Sequence, residues 1–479
     1  ISPPESEAQA PWSAEQAAIE ILRGRLEGSG PVTQTALSAA LGLEPASIAT
    51  ALAALEAEGT IMRGRFLPGA DDEQWCDRRL LARIHHYTIK RLRAEIEPVA
   101  ARDFLRFLFD WQHVAEDARL KGAEAPPAAL AGLEGYEAPA GAWETEILPA
   151  RIEDYDPGFL DSLCLSGRIA WARLTPPAAA KGGRVVTPVK SSPVALLERR
   201  RLGDWTSVAA PVEPPALSGR AELVVETLRA EGALFFDELA DASRLLRSEL
   251  ETALAELAAL GLVTSDSFGG LRALLVPSEK RKPFDGARRK GRVLSFGMES
   301  AGRWSLIRRA YAASGSQERQ GSVEHIAEAL LKRYGVVFWR LLAREGGWLP
   351  PWRDLLRVYR RLEARGEIRG GRFVAGFSGE QYALPEAVGL LREIRRRPAS
   401  GRYVSLSAAD PLNLIGVLTP GAKLAALTGN RLLFRDGLPI AALAGGRIEF
   451  LTDVDEATRW EAEKRLIRSA ARGQLANLA

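Results

Sequence analysis

A short pattern, Leu-x-x-x-Gly-x-Ile/Val, occurs four times in this chain, roughly a hundred residues apart. It stands at Leu55/Gly59/Ile61, Leu163/Gly167/Ile169, Leu257/Gly261/Val263 and Leu362/Gly366/Ile368. The first and last copies agree over a longer stretch, LEAEGTIMRGRF (55–66) against LEARGEIRGGRF (362–373). A repeat of this kind limits the fold sharply, because each copy must belong to the same small supersecondary unit. Glycine is the residue that ends helices, and a β-branched residue just beyond it opens a strand. Each copy therefore predicts a helix running into a hairpin.

The flanks complete the unit. Before the first copy, Ser13 can cap a helix carrying Ala17, Ile21 and Leu22, and 31–33 reads as extended. A short helix around 37–41 stops at Gly42, and Pro45 opens the next, with Ile48, Leu52 and Leu55 on one face. Helix, short strand, helix, turn, helix, hairpin is the order of a winged helix. The third copy repeats it, with a hairpin read over 262–277. The fourth has helices near 323–334, 338–345 and 352–365. The second is degenerate: 104–111 and 159–165 are helical, but the stretch between is rich in Ala, Pro and Gly. Segments 121–142 and 176–193 read as linkers, and 280–292 as a basic connector. Beyond Pro398 short strands replace the helical period, at 403–406, 416–418, 424–427, 432–443 and 447–451, with Asp436-Gly437 at a hairpin turn and a last helix from about 456.

The expected architecture is α+β: tandem winged-helix modules followed by a small β-barrel-like domain. Its divisions are 13–99 (with a basic helix at the end), 100–195, 215–280, a basic linker 281–300, 301–397, and 398–479.

The net charge of +3 comes from 64 basic and 61 acidic residues, so the distribution, not the total, bears on partners. Along 76–96, Arg79, Arg83, His86, Lys90 and Arg93 recur at helical steps and can form one basic stripe. The recognition helix of the fourth module carries Arg353, Arg357, Arg360, Arg361 and Arg365, and its hairpin adds Arg369 and Arg372. Those of the first and third modules (45–58 and 246–260) lack the side chains that read base edges, apart from Arg247. DNA held through phosphate, without sequence readout, is the expected partner, and a sequence-specific regulator is disfavoured.

Several chemistries are excluded. The nearest approach to a phosphate-binding loop, GGRVVTPVKSS (182–192), lacks the second glycine that cradles phosphate, so no ATPase site and no cofactor are expected in this chain. Four histidines and two distant cysteines, Cys76 and Cys164, give no metal spacing and no disulfide framework. A start without Met (ISPPESEAQAPW) reads as a cut inside a longer protein, and no signal pattern or membrane span is present. A cytoplasmic, nucleoid-associated location is expected.

Longer stretches resemble a known family. WCDRRLLARIHHYTIKRLRAEIEPV (75–99), FLRFLFDWQHV (104–114), LDSLCLSGRIAWARL (160–174), KRYGVVFWRLLARE (332–345), RRLEARGEIRGGRFVAGFSGEQYALPEAV (360–388) and SAADPLNLIGVLTPG (407–421) are similar to the large helicase-related (Lhr) proteins, bacterial superfamily-2 helicases. The resemblance implies the C-terminal part of a 3′-to-5′ DNA helicase in DNA repair, without its motor domains and their ATP and Mg. It also implies assembly into a homotetramer. The same region looks like a distant relative of winged-helix DNA glycosylases, which place Gln-x-Gln or Gln-x-Asp on a hairpin. Here the hairpin reads Gln381-Tyr382-Ala383, so the second polar member is missing. Removal of uracil or an alkylated base needs a flipped base and a carboxylate to stabilise oxocarbenium character. Glu380, Gln381, Asp410 and Asn413 are the candidates for that alternative.

Overall fold

The computed structural model describes residues 12–94, 96–175, 190–209, 215–276, 297–298, 301–307 and 316–478. They fall into two compact units, Ile1–Ile96 and Glu97–Ala479.

The first unit is a winged helix. Ser13 caps α1 (Ala14–Gly28): its hydroxyl accepts the Gln16 N–H, and the Gln16 side chain accepts the Ser13 N–H. After β1 (Val32–Thr33) come α2 (Gln34–Leu41), which ends on left-handed Gly42, and α3 (Pro45–Ala57), with Pro45 in the first turn where no N–H is needed. The hairpin β2 (Ile61–Gly64) and β3 (Gln74–Asp77) closes the sheet in the order β1-β3-β2. Leu22, Leu26, Leu37, Ile48, Leu52, Leu55 and Ile61 form its core. From β3 the chain runs directly into α4 (Arg78–Ala94).

Three more winged helices follow in the second unit, preceded by α5 (Ala101–Trp111). The second comprises α6 (Ala125–Leu133), β4 (Glu137–Pro139), a π turn leading into α7 (Leu148–Arg151), α8 (Pro157–Leu165), β5 (Ile169–Ala172) and β6 (Pro193–Glu198), and α9 (Leu202–Val208) trails it. The third comprises α10 (Gly219–Glu231), β7 (Leu234–Phe235), α11 (Phe236–Ser243), α12 (Arg247–Ala259), β8 (Val263–Ser265), α13 (Phe268–Leu275) and β9 (Arg303–Leu306). The fourth comprises α14 (Ser316–Tyr334), β10 (Val336–Phe338), a 3-10 turn at Leu341–Arg344, α15 (Trp352–Ala364), β11 (Arg369–Gly371) and β12 (Gln381–Ala383), with α16 (Pro385–Arg396) behind it. Their sheets run β4-β6-β5, β7-β9-β8 and β10-β12-β11, the same order as in the first unit.

The repeated Leu-x-x-x-Gly-x-Ile/Val has one physical basis in all four copies. Gly59, Gly167, Gly261 and Gly366 take φ of +73°, +72°, +70° and +77°, the left-handed turn that ends a helix at little cost only for glycine. The N–H of the next residue then returns to the carbonyl of the repeat leucine: Thr60 to Leu55, Arg168 to Leu163, Leu262 to Leu257, Glu367 to Leu362. The leucine side chain and the Ile/Val beyond the glycine are buried in every copy. One motif therefore stops the recognition helix, satisfies its last carbonyls and aims the strand into the core.

Several expectations are corrected. The second module is complete, not degenerate. Its first helix and strand occupy the stretch read as a linker over 121–142, where Pro126 sits in the opening turn of α6 and Ala129, Leu130 and Leu133 face inward. Nor does 176–193 separate modules: β5 and β6 pair with each other, so it joins two wing strands, and Pro193 already belongs to β6 (176–189 lie outside the described residues). The third hairpin does not close within 262–277. A helix, α13, is inserted after β8, and the return strand is β9, beyond the expected boundary at 280. The basic connector at 280–292 lies outside the described residues. The helix read at 338–345 is the end of β10 followed by the 3-10 turn. Val99, placed with the first module, bridges Val374 of the second unit.

The last module is an antiparallel meander, β13 (Tyr403–Ser407), β14 (Arg431–Arg435), β15 (Leu438–Ala444) and β16 (Arg447–Phe450), against which α17 (Glu456–Leu478) lays Ala462 and Leu466. Among the described residues its ladders run in the order β13-β14-β15-β16, and no closed barrel is found. The runs at 416–418 and 424–427 are not strands; a single bridge, Ile415 to Thr419, is all that forms there. The hairpin at Asp436-Gly437 is present, with φ of +47° and +81°.

Candidate nucleic-acid interface

The basic helix α4 has the composition of a surface made for a polyanion. Its sequence, RRLLARIHHYTIKRLRA, holds six Lys or Arg and no acid, and none of its residues is buried. Asp77, just before it, caps the helix by accepting the Leu80 N–H at 2.8 Å. Arg79, Arg83 and Lys90 are exposed and, with His86 and Arg93, lie at three- and four-residue steps, so that Arg79 and Arg83, and Lys90 and Arg93, are like-charged neighbours. Like charges at that spacing repel one another by a few tenths of a kcal/mol per pair, and Arg78 and Arg79 oppose the positive end of the helix dipole. Phosphate relieves both. The apolar side does not bury either: Ile84, Tyr87 and Leu92 are exposed.

The second basic element is α15. Arg353, Arg357 and Arg360 share one face, but each has an acidic neighbour: Asp354 lies 3.6 and 3.5 Å from the first two, and Glu380 lies 2.9 Å from Arg360. Arg361 and Arg365 share Glu324 at 3.2 and 3.1 Å. Exposed pairs of this sort are weak and can be exchanged for phosphate. In the wing, Arg369 and Arg372 are exposed.

The helices α3 and α12 occupy the recognition position without the chemistry for it. In α12 eight residues are buried, Leu250, Leu254 and Leu257 among them, and Arg247 is held by Asp237. The second and third winged helices share one core, in which Trp171 meets Trp304 edge-on at 6.2 Å and Arg272 bridges Glu144 and Asp161. They are scaffold to each other.

A buried polar junction ties the winged helices to the meander. Arg151 donates to both carboxylate oxygens of Asp410, at 2.7 and 3.0 Å, and to the Gln112 side chain at 2.7 Å. Gln112 in turn donates to the Arg333 carbonyl. Arg333 pairs with Glu345, and Arg431 with Glu146. The guanidinium groups of Arg333 and Arg344 both lie over the Tyr136 ring; burial pushes the Tyr136 hydroxyl far above its usual range, against the lowering effect of the two cations.

The four expected catalytic residues are divided by this arrangement. Asp410 is bound to Arg151 and also accepts the Leu412 N–H; Asn413 donates to the Ala408 and Leu424 carbonyls. Both are buried within the loop between β13 and β14. Gln381 is fully buried and clamps the fourth wing, accepting the Phe373 and Val374 N–H groups at 2.9 and 2.8 Å and donating to the Val374 carbonyl. Glu380 alone of the four reaches the surface, paired with Arg360. A cavity of about 360 Å³ is lined by Trp111, His113, Arg151, Lys332 and Glu386, and by none of the four.

Sequence reasoning missed two things here. Gln74 performs in the first wing what Gln381 performs in the fourth, accepting the Phe66 and Leu67 N–H groups at 3.0 and 3.1 Å. Each glutamine stands eight residues beyond the Phe that ends the aligned repeat, so carrying the alignment of 55–66 with 362–373 further would have found the pair. The other is Trp339, an exposed Trp one residue past β10.

Comparison with known proteins fits this architecture. Family models for a winged-helix domain of large helicase-related proteins match residues 99–189 and 316–403. An "Lhr helicase/ probable uracil glycosylase" of Mycolicibacterium smegmatis is 30% identical over 406 residues, covering 81% of this chain. The chain belongs to the Lhr family. An "Lhr helicase/uracil glycosylase" of Escherichia coli is 27% identical over 427 residues, again covering 81% of the chain. This Lhr chain spans only about a quarter of either relative, 26% in both cases. The two matched segments are the second and fourth winged helices, so the module that reads as degenerate is itself an Lhr winged helix.

Proposed function

We propose that this chain is the DNA-holding, non-motor region of an Lhr helicase that acts in DNA repair. The observation that carries the reading is α4, a helix with six positive charges, no acid and no buried residue, next to a winged helix. The Arg-bearing α15 and its wing, in the second unit, are a further basic surface of the same chemistry. Recognition helices without base-reading side chains support contact through phosphate, blind to sequence. ATP and Mg would be handled by motor domains elsewhere in the parent protein. Assembly into a homotetramer belongs to the same proposal, with the exposed Trp460 and Ile467 of α17 as a surface suited to self-association.

The test is binding of labelled duplexes of unrelated sequence to this chain at low and moderate salt. Equal affinities that fall steeply with salt support the reading. A strong preference for one sequence, or no binding at low salt, overturns it.

A second reading, removal of uracil or an alkylated base, is favoured by the names of the two relatives. On this chain it rests on Glu380, the carboxylate at the surface of the fourth wing, with Gln381 beside it in sequence and Asp410 and Asn413 in the loop between β13 and β14 as the further candidates. Release of uracil from labelled oligonucleotides, followed by alkaline cleavage, tests it. Cleavage abolished in Glu380→Gln supports this reading, and the absence of cleavage from bound substrate ends it.

A further inference from the structure

The central strand of the fourth sheet ends where three features meet. Phe338 of β10 and Gly371 of β11 both pair with Gln381 of β12. Just beyond these last pairs stand Trp339, Arg372 and Glu380, one at each strand end, and Arg360 of α15 reaches the Glu380 carboxylate at 2.9 Å. Trp339 is 63% exposed, although its chain neighbours are fixed. Phe338 packs against Phe104 and Phe377, Arg340 donates to the Gly416 carbonyl at 3.0 Å, and the Leu342 N–H returns to the Trp339 carbonyl. A large indole is thus held out to solvent on a rigid base, at the end of a sheet whose other strand ends carry Arg372 and the Arg360-paired Glu380. Exposed Trp in an apolar patch suits a protein partner; exposed Trp among arginines suits a nucleotide, whose base stacks and whose phosphates need cations.

We infer that Trp339 is a stacking platform for an unpaired nucleobase, with Arg372 and Arg360 contacting the adjoining phosphates. The site takes single-stranded nucleic acid, or a strand at a junction, because a paired base offers no free face. This rests on the nucleic-acid reading above and adds to it a strand preference located at one side chain.

The experiment compares this chain with Trp339→Ala and Trp339→Phe, using a labelled oligo(dT) strand and a blunt duplex of the same length, with mass by light scattering alongside. Base–aromatic stacking predicts that Trp339→Ala weakens oligo(dT) binding about 5- to 150-fold, leaves duplex binding unchanged, and is largely rescued in Trp339→Phe. Duplex and single-strand affinity falling together, or neither falling, overturns the inference while leaving the DNA-binding reading in place. A change of mass without a change in oligo(dT) binding also overturns it, assigning Trp339 to a protein interface. Failure of the unmodified chain to bind either DNA removes the reading and the inference with it.

Discussion

Arg151 and Asp410 close on each other in a two-point contact, at 2.7 and 3.0 Å, with side chains only 1% and 2% exposed. One sits at the end of the second winged helix's α7 and the other in the loop between β13 and β14, so the pair fastens the meander to the row of winged helices. A buried carboxylate so engaged holds its neighbour in place and is unavailable to a substrate. Removing it leaves a buried guanidinium without its counter-charge, which costs about 3–5 kcal/mol. Asp410→Ala should therefore lower the unfolding midpoint sharply. Arg151→Met combined with Asp410→Leu should be less damaging than the sum of the single changes, and full additivity would show that the pair is not coupled.

Gln381 makes a second prediction. Its amide satisfies two buried wing N–H groups, and each buried group left unpaired costs about 1–3 kcal/mol. Gln381→Ala should destabilise the fourth module by about 2–6 kcal/mol for the two groups together and speed hydrogen exchange at the Phe373 and Val374 amides. Gln74→Ala should do the same at Phe66 and Leu67. Unchanged exchange would mean that neither glutamine clamps its wing.

The repeat glycines give a third. Nothing lies within 4 Å of a Cβ added at Gly59, Gly167 or Gly366, so the cost of a side chain there is backbone strain alone. Alanine at each should cost about 1–2 kcal/mol, and asparagine, which tolerates the left-handed region better, should cost less. Denaturant unfolding of the six variants checks it; equal penalties for Ala and Asn would contradict it.

Asp436 carries a pH dependence. Burial works against its charge, but the N–H groups of Ser400, Gly401 and Arg402 donate to it, and Arg106 adds to their effect, so the carboxyl is held below its usual range. A depressed carboxyl stabilises the fold above its unfolded pKa of about 3.9 and loses that contribution as the pH falls through the folded value. The difference in unfolding midpoint between the natural chain and Asp436→Asn should be present at neutral pH and shrink below pH of about 4. A gap that persists in acid would locate the effect elsewhere.

Much of this fold is legible in the sequence because its repeat is local chemistry: a left-handed glycine, a leucine carbonyl and a buried strand residue within a few positions. The second module is hidden by α6, APPAALAGL, where almost every residue is small or apolar and helical periodicity has no contrast. The third hairpin escapes sequence reading because α13 separates its strands, and no local signal links Val263 to Leu306. The basic stripe of α4 is visible from spacing, but the absence of any buried residue along it is not. The candidate catalytic set does not converge because residue type says nothing of partner: Asp410 finds Arg151 across 259 positions. Trp339 escapes notice because a Trp beside VVF reads as core, and only the end of the ladder turns it outward.

Whether α4 holds DNA is decided by the salt dependence of duplex binding, measured for this chain and for the triple variant Arg79→Gln/Arg83→Gln/Lys90→Gln. Every phosphate that no longer meets a cation should flatten the log–log slope by about 0.9, so the variant's slope should be shallower by about 2 to 3 units, with its unfolding midpoint unchanged. An identical slope in the two proteins would mean that α4 does not hold the DNA, and the proposed function would lose the observation that carries it.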